Sequence, residues 1–143
     1  MSGSARSAFR NLTIYVISFM CFLALSAEQL PIALTAKFIK VIASSSGVPS
    51  VICKDATIAA ELTKIGVTLG ESKIAWASSP ADVKVQAATG KLVICGNLNE
   101  LPMGGSLAII EEGGRPAIYL NMANVTKSGV TLGDAILKMG KRI

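Results

Sequence analysis

The chain has 143 residues, 51% of them hydrophobic and 16% charged, with 14 Lys+Arg against 9 Asp+Glu, a formal net charge of +5 and no histidine. That length admits one compact domain, and the apolar content excludes an intrinsically disordered chain, which stays solvated only at low hydrophobicity and high charge. The missing histidine excludes Ser-His-Asp and Cys-His nucleophile systems, a histidine general base and histidine metal ligation.

Arg6 and Arg10 precede an apolar run over residues 12–25, and the small residues Ser26 and Ala27 follow before Glu28-Gln29. A basic end, an apolar core of about 14 residues and a small-residue segment form the pattern of a cleavable secretory signal. A bilayer-spanning helix needs about 20 apolar residues, so export with cleavage after Ala27 is preferred over a retained anchor. The expected organisation is a signal peptide over residues 1–27 and a single exported domain over residues 28–143. Removing Arg6 and Arg10 leaves twelve basic against nine acidic side chains, a net charge of +3. The basic residues are scattered singly, and Phe38, Trp76 and Tyr119 are the aromatic residues left, so no nucleic-acid surface is expected.

Residues 28–44 place Leu34, Phe38, Val41 and Ile42 at helical spacing, with Pro31 in the first turn and Lys37 and Lys40 toward solvent. A short apolar run at 49–53 predicts a buried strand, and Asp55 predicts the N-cap of a helix bearing Ile58, Leu62 and Ile65 and ending at Gly66. Residues 73–77 predict a second strand, Ser79-Pro80 with Asp82 a short helical or irregular stretch, and residues 91–95 a third strand. Short continuous apolar runs separated by helices predict parallel strands covered on both faces. Residues 106–110 and 117–122, separated by the Glu111 to Pro116 segment with its Gly-Gly pair, predict an antiparallel hairpin. Helices over 123–128 and 131–141 close the chain, the second capped by Thr131 and ending in Lys138, Lys141 and Arg142. The expected fold class is α/β: a small three-layer domain with a mainly parallel sheet flanked by helices and a C-terminal antiparallel hairpin.

Cys53 and Cys95 each end a strand run, and two readings stand. In an exported protein they can bridge, contributing about 4 kcal/mol on the chain-entropy model; alternatively they are two buried thiols packing as small hydrophobes. Without a histidine, a cysteine nucleophile is not expected. Residues 66–73 hold glycines and a lysine but lack the Gly-Lys-Ser/Thr ending of a phosphate loop and lie between a helix and a strand, the reverse of its context. Glu111 and Glu112, adjacent in sequence, point to different sides of a strand or turn and fit a solvated hairpin tip. Asn124-Val125-Thr126 has the form of a glycosylation acceptor and fits equally a helix start. No metal, cofactor or catalytic constellation is expected.

From Gly104-Gly105, through the strand residues to Arg115 and Asn121, then 123–129 and 132–139, the C-terminal half resembles the closing signature of the YfiR-like (DUF4154) family. Ala36-Lys37-Phe38-Ile39 is similar to that family's first-helix motif, and Ser79-Pro80-Ala81-Asp82 to its segment before the third strand. The Trp-Pro that usually continues the helix motif is replaced by Val41-Ile42, and residues 97–103 are shorter than the family's usual segment. The resemblance implies a non-enzymatic periplasmic regulator that restrains a membrane-anchored diguanylate cyclase, or another inner-membrane sensor, by protein contact in cyclic di-GMP and biofilm signalling. The surface chosen for that contact is Lys37, Phe38 and Lys40 on the first helix with Glu111, Glu112 and Arg115 at the hairpin tip; a homodimer is a further expected partner state. The alternative is a periplasmic small-ligand-binding module, with its site at the carboxyl ends of the strands near Lys54-Asp55, Ala77-Ser78 and Gly96-Asn97.

Overall fold

A computed structural model describes residues 30–143; the expected signal peptide lies outside the described residues. The elements run α1 (Ile32–Ser45), β1 (Ser50–Cys53), α2 (Ala56–Lys64), β2 (Thr68–Leu69), β3 (Ile74–Ala77), α3 (Pro80–Ala88), β4 (Leu92–Cys95), a 3-10 turn (Leu98–Glu100), β5 (Leu107–Glu112), β6 (Arg115–Leu120), α4 (Met122–Ser128), α5 (Asp134–Met139) and β7 (Lys141–Arg142). They build one seven-stranded sheet in the order β2-β1-β3-β4-β5-β6-β7. Every neighbouring pair is parallel except β5 with β6. This is the expected three-layer α/β domain.

The central strands β3 and β4 are buried at all positions, so their side chains supply both cores. Ile74, Trp76, Leu92 and Ile94 pack with Ile39 and Ile42 of α1, Leu62 of α2 and Ile136 of α5. Ala77, Val93 and Cys95 pack on the opposite face with Val83 of α3 and Leu101. Each side chain of this size taken wholly out of water contributes about 1.5–3 kcal/mol, whereas a six-residue helix such as α5 has almost no stability of its own. Packing, through Ile136, therefore holds α5 in place. Local signals set the other boundaries: Asp55 Oδ1 accepts from Thr57 N and Ile58 N at 3.0 and 3.3 Å, and Ser79 Oγ accepts from Asp82 N at 3.2 Å ahead of Pro80.

Several expectations are corrected. Pro31 precedes α1 as its extended N-cap instead of sitting in the first turn. The buried face of α1 is Thr35, Ala36, Ile39, Ile42 and Ala43, while Val41 is exposed and Leu34 and Phe38 are half-buried. The hairpin turn is two residues long: Glu112 pairs with Arg115, and Gly113 and Gly114 both take positive φ, 60° and 78°, the geometry that matches strand twist. Glu111 and Glu112 are thus strand residues. Thr131 caps nothing; α5 starts at Asp134 behind Gly133, and Lys141-Arg142 leave the helix to pair with β6 as an edge strand.

The Cys53–Cys95 bridge is also corrected, since both thiols are free. β3 lies between β1 and β4, which puts the cysteines two strand spacings apart, about 10 Å, against a limit near 7 Å between bridged Cα atoms. They also serve opposite faces, Cys53 against the α1 side and Cys95 in the α3 side.

Between the 3-10 turn and β5 the chain passes so close to α3 that a side chain does not fit. Gly104 has φ of 128°, and a Cβ there would lie 2.5 Å from the Cβ of Ala87. Gly104→Ala combines backbone strain with overpacking, each on the scale of about 1–3 kcal/mol. Chemical denaturation is expected to read a loss of at least about 2 kcal/mol for this variant, whereas Gly90→Ala, facing open space, loses less.

Candidate functional site

From β1 the chain turns outward through α2 to the edge strand β2, then returns past β1 to β3 and continues the other way through α3 to β4. α2 packs on one face and α3 on the other. The connections leaving β1 and β3 diverge, and the crevice opened at the carboxyl ends of those strands is where open α/β sheets place ligands. A cleft of about 300 Å³ lies there, at the lower end of small-molecule sites. Asp55, Thr57 and Ile58 border it from the start of α2, Trp76, Ala77 and Ser78 from the end of β3, and Gly96, Asn97 and Glu100 from the segment after β4; Leu30, Ile32 and Thr35 at the start of α1 and Ile109 of β5 complete its wall. The strand-end positions expected of a binding module are therefore gathered in one cleft, except Lys54, which stays exposed and pairs with Asp82 at 3.7 Å.

Two residues give the cleft its chemistry. Trp76 and Glu100 are each 7% exposed. Trp76 Nε1 and Glu100 Oε2 are the two buried side-chain polar atoms among the described residues that have no hydrogen-bond partner. Most buried polar groups are paired, so two orphans bordering one cleft need a cause. Burial also pushes the Glu100 carboxyl above its ordinary range. Asp55, by contrast, spends Oδ1 on the N-terminus of α2.

Glu100 is held firmly from behind. Its carbonyl accepts from Met103 N and Gly105 N at 3.2 and 3.0 Å, and Asn97 Oδ1 opens the turn by accepting from Asn99 N at 2.9 Å. Asn121 Nδ2 and Asn124 Nδ2 both donate to Leu101 O, at 3.2 and 3.1 Å, and Asn124 Nδ2 also donates to Gly105 O at 2.9 Å. A Cβ on Gly105 would meet Glu100 O at 2.9 Å and Cys95 Sγ at 3.0 Å. The Gly-Gly pair and the asparagines around α4 thus form one clamp on the loop that presents Glu100. Asn124 is structural here, its amide committed to this loop.

The thiols are not reactive groups. Burial pushes Cys53 up to about 11, aided by the charges of Asp55 and Asp82, and Cys95 up to about 12. Both are protonated at neutral pH and poor nucleophiles.

The residues chosen as a partner surface fall into two separate patches. Lys37 is exposed and Phe38 half-buried, and Lys40 Nζ donates to Ile65 O at 2.7 Å, capping the C-terminal end of α2. That end lies beyond the amino ends of the strands. The hairpin tip, with Glu111, Glu112 and Arg115, extends beyond the carboxyl ends, because β5 is parallel to β4. At the tip Tyr119 Oη donates to Glu112 Oε2, and Lys141 Nζ pairs with Glu112 Oε1 at 2.7 Å while lying 5.3 Å from the Tyr119 ring centroid. The Lys141 ammonium, then the Tyr119 hydroxyl, hold the exposed Glu112 carboxyl below its usual range.

Trp76 and Glu100 were not singled out by sequence reasoning as site residues. The signal for Trp76 was its position as the chain's one tryptophan at the end of a buried strand; Glu100, in a short aperiodic segment, carried none.

No family model matches the chain, and no curated protein matches it. Among solved structures it is similar to a conserved domain protein from Vibrio cholerae O1 biovar El Tor strain N16961, at 13% identity and a TM-score of 0.54. The match covers 78% of this chain and 60% of that one, so the chain spans less than two thirds of the neighbour's length. At that identity the likeness concerns the fold alone, the three-layer α/β arrangement described above.

Glu100 sets a measurable cost. Below about pH 4 a glutamate is protonated in both folded and unfolded chains, and no penalty arises. As pH rises the unfolded chain ionises first, because the folded carboxyl is shifted upward, and stability falls. Glu100→Gln mimics the protonated acid. Its Tm is expected to exceed that of the parent by a few degrees at about pH 7.5, the excess vanishing near pH 3.5; differential scanning calorimetry across pH checks this.

Proposed function

We propose that the chain is an exported, non-catalytic small-ligand-binding module whose site is the cleft at the carboxyl ends of β1, β3 and β4. The observation that carries this reading is that Trp76 and Glu100, each with a buried polar atom left without a partner (Nε1 and Oε2), both line that cleft. An N–H donor and a carboxyl oxygen kept from water each cost about 1–3 kcal/mol when unmet, and a bound molecule that meets both recovers that cost. The clamp by Asn121 and Asn124 supports the reading, since it holds Glu100 in place before anything binds, which lowers the entropic cost of binding.

The chain's single tryptophan lies in this wall, so its fluorescence reports occupancy. A library spanning cationic, neutral and anionic small molecules is expected to yield ligands that shift Trp76 emission and raise Tm together, with about 2.7 kcal/mol of stabilisation at about 100 times Kd. Trp76→Phe, which removes the donor and the fluorophore together, is expected to weaken them at least about tenfold as read from the ligand-induced rise in Tm. A library without one such ligand overturns the reading.

A second reading is favoured by the hairpin tip, where exposed Glu112 and Arg115 stand beyond the sheet on a strand pair braced by Lys141 and Tyr119. This is the contact surface for an inner-membrane partner such as a diguanylate cyclase, the role that the YfiR-like resemblance implies. A photo-crosslinking residue at position 115 is expected to capture a membrane protein with a cyclase domain from intact cells. Capture of no membrane protein sets this second reading aside.

A further inference from the structure

The geometry points to a small organic cation as the occupant of the cleft: a protonated primary or secondary amine set against Glu100 and Asp55, with a hydrogen-bond acceptor for Trp76 Nε1 and an apolar body among Ile32, Ile58 and Ile109. This inference rests on the cleft being a binding site and adds the chemical class of what it binds.

Charge decides the class first. Among the described residues the wall contains two carboxylates, Asp55 and Glu100, and no lysine or arginine. Two helix N-termini border the cleft: that of α2 is occupied by Asp55, and that of α1, which contributes Ile32 and Thr35 to the wall, has no side-chain cap. A phosphate or carboxylate ligand would therefore meet two like charges, offset only by the partial charge at the start of α1, about half a unit. A neutral donor would meet the Glu100 carboxylate with a hydrogen bond alone, whereas an ammonium adds the attraction of opposite charges in a wall of low dielectric. A buried carboxylate is best compensated by an opposite charge that is also hydrogen-bonded to it.

Hydrogen-bonding capacity then narrows the class. Glu100 Oε2 is an acceptor without a donor, so the cation must carry an N–H, which a quaternary ammonium lacks. Trp76 Nε1 is a donor that cannot ligate a metal, and no group of three or more His, Cys, Asp or Glu side chains able to hold a metal is present among the described residues. An inorganic cation would leave the indole unmet; an amine bearing an ether or carbonyl oxygen meets both orphans at once.

A matched series tests this on the full chain by Trp76 fluorescence: phenoxyethylamine, its trimethylammonium analogue, phenoxyethanol and phenoxyacetate, with leucinamide and its N-acetyl derivative as a second amine and neutral pair. The amines are expected to bind at least about tenfold tighter than their neutral, anionic and quaternary counterparts. Glu100→Gln is expected to remove that preference, so that phenoxyethylamine and phenoxyethanol bind the variant within about threefold of each other. Because the ranking is read on the unaltered protein, it stands even where the variant folds poorly. Neutral or anionic members that bind as tightly as the amines overturn the cationic class and leave the binding-module reading intact. Silence from the amines at about 10 mM, above the affinity range of ligands this small, overturns the cationic class. Silence from the wider library as well overturns the binding site itself.

Discussion

Burial of β3 and β4 on both faces is the constraint from which the rest of the molecule follows. Parallel strands buried this way must be joined by crossovers that lie on the sheet faces. Two crossovers leaving neighbouring strands in opposite directions cannot both cover the same strand ends. The space between β1 and β3 is therefore a consequence of the connectivity, whatever side chains border it. Chemistry enters with the residues that the strand ends bring up to that space: Trp76 from β3, Gly96 after β4, and Asp55 after β1. Gly96 matters sterically as well, since a Cβ there would press on the Trp76 ring at 3.3 Å.

Against this scaffold the Glu100 loop looks like an investment in position rather than stability. Asn121 and Asn124 come from the start of α4, and their amides reach back to the carbonyls of Leu101 and Gly105. Gly104 and Gly105 let the chain pass between α3 and the 3-10 turn. All of this fixes a side chain whose carboxyl oxygen is left without a partner. Structural loops satisfy their buried polar atoms; a loop held rigidly around an unsatisfied one suits a site that is completed by something else.

The fold was legible where a physical signal was short-range and strong. Asp55 and Ser79-Pro80 announced their helices, the Gly-Gly pair announced the hairpin, and the apolar runs ending in Cys53, Ala77 and Cys95 announced parallel strands. The misreadings share a cause. On α1 the buried face uses Ala36 and Ala43, small residues that let a helix sit close to the sheet, whereas the larger Val41, which has the stronger apolar signal, faces solvent. At the C-terminus Lys141 and Arg142 suit a helix end by charge. Their strand pairing depends on Gly140, where a Cβ would come within 2.6 Å of Leu120, a tertiary contact invisible in the local sequence. The two-residue strand β2 is exposed and carries no alternation to detect. The cleft was half legible: topology pointed to the strand ends, but Glu100 belongs to an aperiodic segment, and the loop that presents it is held by Asn121 and Asn124, more than twenty residues later.

The contrast between overall and local charge bears on how such a cleft would select. Residues 28–143 carry a net charge of +3, so the long-range field does not gather cations; at physiological salt it also fades within about 8 Å. Attraction for a cation has to be local, arising from carboxylates set in a low-dielectric wall where interaction with a nearby charge is several times stronger than in water. Such an arrangement favours discrimination over capture rate. A cation enters without steering, but once inside it meets partners that a neutral or anionic molecule cannot satisfy. That separation between a basic exterior and an acidic, partly unsatisfied cleft rests any preference for ligand charge on the buried Glu100 and the half-buried Asp55, apart from the outer surface and the hairpin tip.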